Sequence, residues 1–315
     1  MNTTQILNGD SIEMMRTLDD NSVNTCVTSP PYFGLRDYGH DGQIGLEETP
    51  EKYIEALVNV FREVKRVLRK DGTLWLNIGD SYASYRDGKA TPDTTRGEST
   101  GTLVPKGSAS NRMASTFLGS NIKHKDLIGI PWRLAFALQS DGWYLRQDII
   151  WNKPNPMPES VQDRCTKSHE YIFLLTKSPN YYYDIESIKE PAHTTDNTNR
   201  DRDSTKLNNC PGRTKMGGLK TNHYTTKNKR SVWTVNTKSY SGAHFATFPT
   251  ELITPCVLAG CPKDGVVLDP FGGSGTTAFV ANENGRNAIL CEINPEYVEL
   301  SKERLRSVQP PLFTI

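Results

Sequence analysis

The run Val266-Val267-Leu268-Asp269-Pro270-Phe271-Gly272-Gly273-Ser274-Gly275-Thr276-Thr277 decides the fold. Its apolar, β-branched start reads as a strand over Val266–Asp269, and its end opens a helix over Thr276–Asn284. A glycine-rich turn between strand and helix lets a ligand approach the backbone and meet a helix N-terminus. A Walker loop needs Lys directly after the last glycine, and Thr276 stands there. A dinucleotide fingerprint needs a third glycine where the chain has Ala278. The ligand therefore need not carry phosphates. Glu292 stands 17 residues after Gly275, at the end of the next strand, Asn287–Ile293. An acid there is placed to accept hydrogen bonds from ribose hydroxyls. Alone, the glycine turn is equally well a structural turn; with Glu292 in register it becomes a signal for a nucleoside ligand.

Working outward, the final stretch Pro295–Arg306 reads as a helix, and Thr250–Ala259 as another before the glycine turn. The N-terminal half alternates in the same way. Gln5–Leu7 is a short apolar start and Ser22–Thr28 a buried strand. Thr49-Pro50 caps and opens a helix whose Ile54, Leu57, Val58, Phe61, Val64 and Leu68 share one face. Asp71-Gly72 is expected to stop it before a strand over Thr73–Ile78. Pro131–Leu138 follows as a helix, then Tyr144–Trp151 and Glu170–Thr176 as strands. Strand–helix–strand order implies an α/β fold with a doubly wound, mostly parallel sheet.

The chain has 315 residues, of which 36% are hydrophobic and 23% charged, enough for a core and against overall disorder. No apolar run approaches the ~20 residues of a membrane span. The first residues, Met1-Asn2-Thr3-Thr4-Gln5, carry no basic start, so no signal peptide is expected. The 6 cysteines include no CxxC pair, which argues against a zinc site and a disulfide scaffold; no metal is expected. Net charge is +1 but unevenly spread. Lys189–Arg230 holds ten Lys/Arg against four Asp/Glu, and Tyr85–Lys125 seven against three. These basic stretches suggest a polyanion partner, although solvated loops would look the same. Residues 84–125, rich in Ser, Thr and Gly, read as a long loop.

The second motif, Thr28-Ser29-Pro30-Pro31-Tyr32, directly follows a strand. Pro30 and Pro31 stiffen the backbone and remove two N–H donors, so the Ser29 and Pro30 carbonyls can point outward. The Ser29 hydroxyl donates or accepts, and the Tyr32 ring can stack on a planar base. That set suits an exocyclic amino group, whose two hydrogens need acceptors. Taken alone, it is also a Pro-Pro turn ending a strand.

Together, Ser29–Tyr32 and Asp269–Thr277 resemble the two motifs of amino-group DNA methyltransferases, D/N/S-P-P-Y/F/W and D-P-F-x-G-x-G-T-T. The order, catalytic motif first and cofactor motif last, resembles the β class. His244-Phe245-Ala246-Thr247-Phe248-Pro249 is similar to the segment preceding that cofactor motif, and Trp151–Asn155 to one that helps form the base pocket. The resemblance implies a Rossmann-like methyltransferase sheet in circularly permuted order with a basic target-recognition insertion. It divides the chain into a catalytic half (1–184, with the loop near 84–125), a recognition region (185–235) and a cofactor half (236–315).

The resemblance also implies S-adenosylmethionine as cofactor, bound by Asp10, Thr28, His244, Phe245, Pro249, Asp269, Pro270, Phe271, Gly272, Gly273, Ser274, Gly275, Thr276 and Glu292. Ser29, Pro30, Pro31 and Tyr32 would be catalytic. Duplex DNA is the implied partner, with room for a homodimer and for a cognate restriction endonuclease, and no membrane. The implied setting is the cytoplasm of a bacterial, archaeal or phage-infected cell. SPPY resembles the cytosine-N4 enzymes and DPPY the adenine-N6 enzymes, so N4 is favoured and N6 stays the alternative. A cytosine-C5 enzyme needs a thiolate, and the only Pro-Cys pair, Pro255-Cys256, falls in an apolar helix. A cofactor-binding nucleic-acid protein without catalysis has no use for an amino-nitrogen grip, and the long basic insert favours DNA over RNA or protein substrates.

Overall fold

A computed structural model describes residues 2–35, 37, 39–40, 42–83, 122–192, 225–238 and 248–306. Its helices and strands follow in chain order as β1 (Thr4–Asn8), α1 (Ser11–Arg16), β2 (Val23–Thr28), α2 (Pro50–Val67), β3 (Leu68–Ile78), α3 (Ile130–Ser140), β4 (Tyr144–Asn152), β5 (His169–Thr176), β6 (Glu190–Pro191), β7 (Thr226–Lys227), β8 (Val232–Thr234), α4 (Thr250–Gly260), β9 (Val266–Asp269), α5 (Thr276–Glu283), β10 (Asn287–Glu292) and α6 (Pro295–Arg306). The local causes are those read from the sequence. In α2 the Thr49 hydroxyl accepts from the Lys52 N–H and Pro50 takes the first turn. Leu57, Val60, Phe61, Val64 and Val67 form its buried stripe.

Among the described residues eight strands form one sheet in the order β1-β10-β9-β2-β3-β5-β4-β8. β1 to β3 are parallel along that order; β5 runs antiparallel between β3 and β4, and β8 pairs parallel with β4. Helices α1, α2 and α3 pack over one face, against Cys26, Leu74, Leu76 and Phe173. On the other face α4 lies so close that a Cβ at Gly260 would meet Trp75 Nε1 at 2.6 Å and Thr25 Oγ1 at 2.7 Å. Helices cover both faces, as doubly wound sheets require. β1, near the start of the chain, pairs with β10, near its end. Asp10 is thereby brought beside the C-terminal half of the chain.

Three boundaries differ from the sequence reading. Leu68 is the first residue of β3, not the last of the helical face, because it pairs with Val23. Asp71-Gly72 makes no separate turn: the register jumps between Val23↔Leu68 and Thr25↔Thr73, so exposed Arg69, Lys70 and Asp71 bulge within the strand. Val232–Thr234, read with the basic segment, is a strand of the large sheet whose Trp233 is buried opposite Trp151.

The chain divides into two compact units, Met1–Asp184 with Ser231–Ile315, and Ile185–Arg230. In the smaller unit β6 and β7 pair antiparallel, and Glu190 meets Lys229 at 3.6 Å and Arg230 at 3.2 Å. Most of the loop expected over 84–125 lies outside the described residues; its flanks meet where Ala83 N–H donates to Asp126 and Lys125 N–H to Ala83. Among the described residues no helix is long and apolar enough to cross a membrane.

Candidate active site

β2 and β9 are adjacent and parallel, with Thr25 opposite Val267 and Cys26 opposite Leu268. Ser29–Tyr32 and Asp269–Thr277 therefore leave the sheet side by side at its carboxyl edge, where open α/β sheets bind ligands. Both line one cavity of about 280 Å³.

On the β9 side the turn is held from below. The Asp269 carboxylate is buried and accepts from Thr28 Oγ1 at 2.6 Å, Thr277 Oγ1 at 2.6 Å and the Phe271 N–H at 3.0 Å. Burial pushes its pKa up, and these donors pull it back down. Gly275 has φ +76, and a Cβ there would meet Ser301 at 3.0 Å, so glycine is required on both counts. Glu292 Oε2 accepts from the Gly273 N–H at 2.7 Å and Oε1 from the Asn294 N–H at 2.8 Å. Burial raises the Glu292 pKa, opposed by those two N–H donors. Asp10 caps α1 by accepting from the N–H groups of Ile12 and Glu13, and its neighbour Ser11 donates to the Pro270 carbonyl at 2.6 Å. Phe271, Ile293 and Tyr297 give apolar walls beside the two acids.

On the β2 side Pro30 is buried while Ser29, Pro31 and Tyr32 are half-buried. The Pro31 carbonyl is taken by the Tyr53 hydroxyl at 2.7 Å, which anchors the loop on α2. The Tyr32 hydroxyl donates to Glu170 Oε2 at 2.7 Å. Burial, then the Glu170 charge and this hydrogen bond, hold the Tyr32 phenol well above its ordinary pKa, so it stays a donor. A Cβ at Gly79 would stand 2.8 Å from Tyr32 Cε2, so the bare backbone at the end of β3 is what lets this ring lie where it does. Glu170 also pairs with Lys153, whose ammonium sits 4.2 Å from the centroid of the Trp151 ring.

All but two of the sequence candidates have a place in the described residues. Ser29, Pro30, Pro31, Tyr32, Asp10, Asp269, Pro270, Phe271, Gly272, Gly273, Ser274, Thr276 and Glu292 line the cavity. Thr28 does not: its buried hydroxyl is spent on Asp269, because alternation along β2 turns it inward where Ser29 turns out. Gly275 faces Ser301, and Pro249 is buried at the start of α4, whereas its neighbour Phe248 lines the cavity. His244 and Phe245 lie outside the described residues. Sequence reasoning missed Asn77, Glu170 and Tyr297. Only Glu170 had a signal available, as an acid at the start of a strand that otherwise reads apolar. Among the described residues no cavity group suits thiolate chemistry: burial first, then nearby carboxylates, push the Cys291 thiol up to about 12, and Cys256 is buried in α4.

Known proteins resemble this chain along nearly its whole length. The N6_N4_Mtase family model, described as DNA methylase, matches residues 23–303. The Type II methyltransferase M.Cfr9I of Citrobacter freundii is 48% identical over 306 residues, spanning 97% of this chain and 89% of that protein. Two solved structures share the fold. PvuII DNA methyltransferase (cytosine-N4-specific) aligns with TM-score 0.63 at 17% identity, over 100% of this chain and 89% of its own. TTHA0409 of Thermus thermophilus, complexed with S-adenosyl-L-methionine, aligns with TM-score 0.58 at 22% identity, over 98% and 97%. With both motifs opening from neighbouring strands into one cavity and a family match over nearly its whole length, the chain belongs to the N6/N4 DNA methylase family.

Proposed function

We propose that this chain is a site-specific DNA methyltransferase that moves a methyl group from S-adenosylmethionine to the exocyclic N4 of a cytosine flipped out of duplex DNA. One observation carries the reading: Ser29–Tyr32 and the glycine turn open from adjacent parallel strands into a single cavity. Glu292 and Asp10, beside the apolar walls of Phe271, Ile293 and Tyr297, fit a nucleoside that carries hydroxyls, a planar base and a positive charge. When bound, S-adenosylmethionine supplies a methyl group on a cationic sulfur. The Glu292 carboxylate is the acceptor for ribose hydroxyls. TTHA0409, of the same fold and complexed with that compound, supports the assignment.

The amino nitrogen of a base is a poor nucleophile, because its lone pair is delocalised into the ring. The Ser29 hydroxyl and Pro30 carbonyl hold its hydrogens and draw the nitrogen towards tetrahedral geometry. The Tyr32 ring supports the base face. Rate gain comes from alignment and from oriented dipoles already in place. Unstacking the target costs a few kcal/mol, offset by stacking and hydrogen bonds in the pocket. Ser29 in place of Asp supports cytosine, as does the cytosine-N4 specificity of the PvuII enzyme. Basic residues of 185–230 would hold phosphates, and a restriction endonuclease acting on the same site is the partner suggested by the Type II class of M.Cfr9I.

The test is incubation with unmodified DNA and isotope-labelled S-adenosylmethionine, then digestion to nucleosides and mass analysis. Labelled N4-methylcytosine is expected. Label in N6-methyladenine would replace the base assignment, and no labelled nucleoside would overturn the activity.

A further inference from the structure

We propose that Glu170 is a positioning residue for methyl transfer, one carboxylate that fixes Tyr32 through one oxygen and Lys153 through the other; this rests on the function proposed above. Glu170 stands near the start of β5, opposite Trp151 of β4. Its Oε2 accepts from the Tyr32 hydroxyl at 2.7 Å and from Asn77 Nδ2 at 3.3 Å, and its Oε1 meets the Lys153 ammonium. The pair is largely withdrawn from water, with 17% of the Lys153 side chain and 14% of the Glu170 side chain exposed.

Strands β3 and β5 and the loops after β2 and β4 thus converge on one carboxylate. The Tyr32 hydroxyl oxygen lies on the axis of the second side-chain torsion, so its hydrogen bond fixes where that axis points, and close packing of the ring edge against Gly79 limits rotation about it. Gly79 shows how closely the parts fit: a Cβ there would come within 2.8 Å of Tyr32 and 3.3 Å of Glu170. Ring plane and ammonium position are therefore set before a base arrives, which is what catalysis by alignment requires.

A purely structural ion pair between β4 and β5 would affect stability without reference to the Tyr32 hydroxyl. Coupling separates the two roles. E170A, Y32F and the double variant are compared by single-turnover methyl transfer at saturating DNA and cofactor, with cofactor affinity by calorimetry. E170A is expected to slow the transfer roughly tenfold or more while cofactor affinity stays within about twofold. Y32F keeps the ring, removes the link, and is expected to slow transfer at least ~3-fold. The double variant should be no slower than E170A alone. E170Q, whose amide oxygen still accepts from Tyr32, should recover much of the rate. Multiplying effects in the double variant, or a loss confined to cofactor affinity, would overturn the role. Y32F at the wild-type rate would overturn it even where E170A fails to fold. A wild-type protein that methylates no DNA would instead overturn the proposed function, leaving the two failures distinct.

Discussion

Replacing Glu292 by alanine tests the cofactor half of the site, and the structure sets the size of the effect. Both carboxylate oxygens already accept a backbone N–H, Oε2 from Gly273 at 2.7 Å and Oε1 from Asn294 at 2.8 Å. Each oxygen keeps a second lone pair, and the side chain lines the cavity. Loss of a charge-assisted contact to a ribose hydroxyl costs about 1–3 kcal/mol, or ~5-fold to ~150-fold in affinity. The two N–H groups also lose their acceptor. Water from the cavity can replace it, and removing the carboxylate relieves the burial that raises its pKa. The net loss of stability should then be only about 1–2 kcal/mol. Calorimetric titration with S-adenosylmethionine measures the first effect and urea unfolding the second. A folded Glu292→Ala protein with wild-type affinity refutes the ribose assignment.

The same residue predicts opposite pH trends for binding and for stability. The ionised form is the better acceptor, so affinity should weaken as pH falls through the raised folded pKa. Glu292→Gln should be flat over that window. For stability, a folded pKa above the unfolded value means that the folded state holds the proton more tightly. Its contribution is complete below the unfolded pKa and is lost as pH rises through the folded one.

Ser29→Ala should leave DNA and cofactor binding nearly intact and slow single-turnover transfer, because its contact matters most as the amino nitrogen pyramidalises; equal losses in rate and DNA affinity would sink that role. Gly79→Ala should push Tyr32 aside, given the 2.8 Å approach, and lower the transfer rate while cofactor affinity holds; a wild-type rate would mean that the ring position is immaterial. Neutralising Lys206, Arg213, Lys215 and Lys220 should weaken DNA binding and flatten its salt dependence by about 0.9 per lost phosphate contact. An unaltered slope would move phosphate recognition elsewhere, with residues 84–125 the next to test.

Local chemistry alone wrote much of this protein into its sequence. The glycine turn, the stiff Ser29–Tyr32 loop, the capped amphipathic helix at Thr49-Pro50 and the acid at Glu292 are short-range patterns, and the structure keeps all four. The family resemblance rested on the same two motifs. Their meeting in space was only an inference from chemistry, since one transfer needs both. Long-range pairing made it so, by setting β9 against β2 across some 240 residues of chain.

Other features depended wholly on tertiary structure. Apolar periodicity does not encode strand order, so the antiparallel β5 between β3 and β4 had no local signature. Its consequence is that Glu170 reaches Tyr32, 138 residues earlier. Side-chain direction at the end of a strand depends on register, and a step of one residue reverses it. Thr28 thus turns inward to hold Asp269 while Ser29, the next residue, lines the cavity. Leu68 fits a helical face by spacing, yet its pairing with Val23 makes it strand. Residue type and spacing specify which chemistry is present; backbone pairing between distant segments decides which of those groups share a cavity.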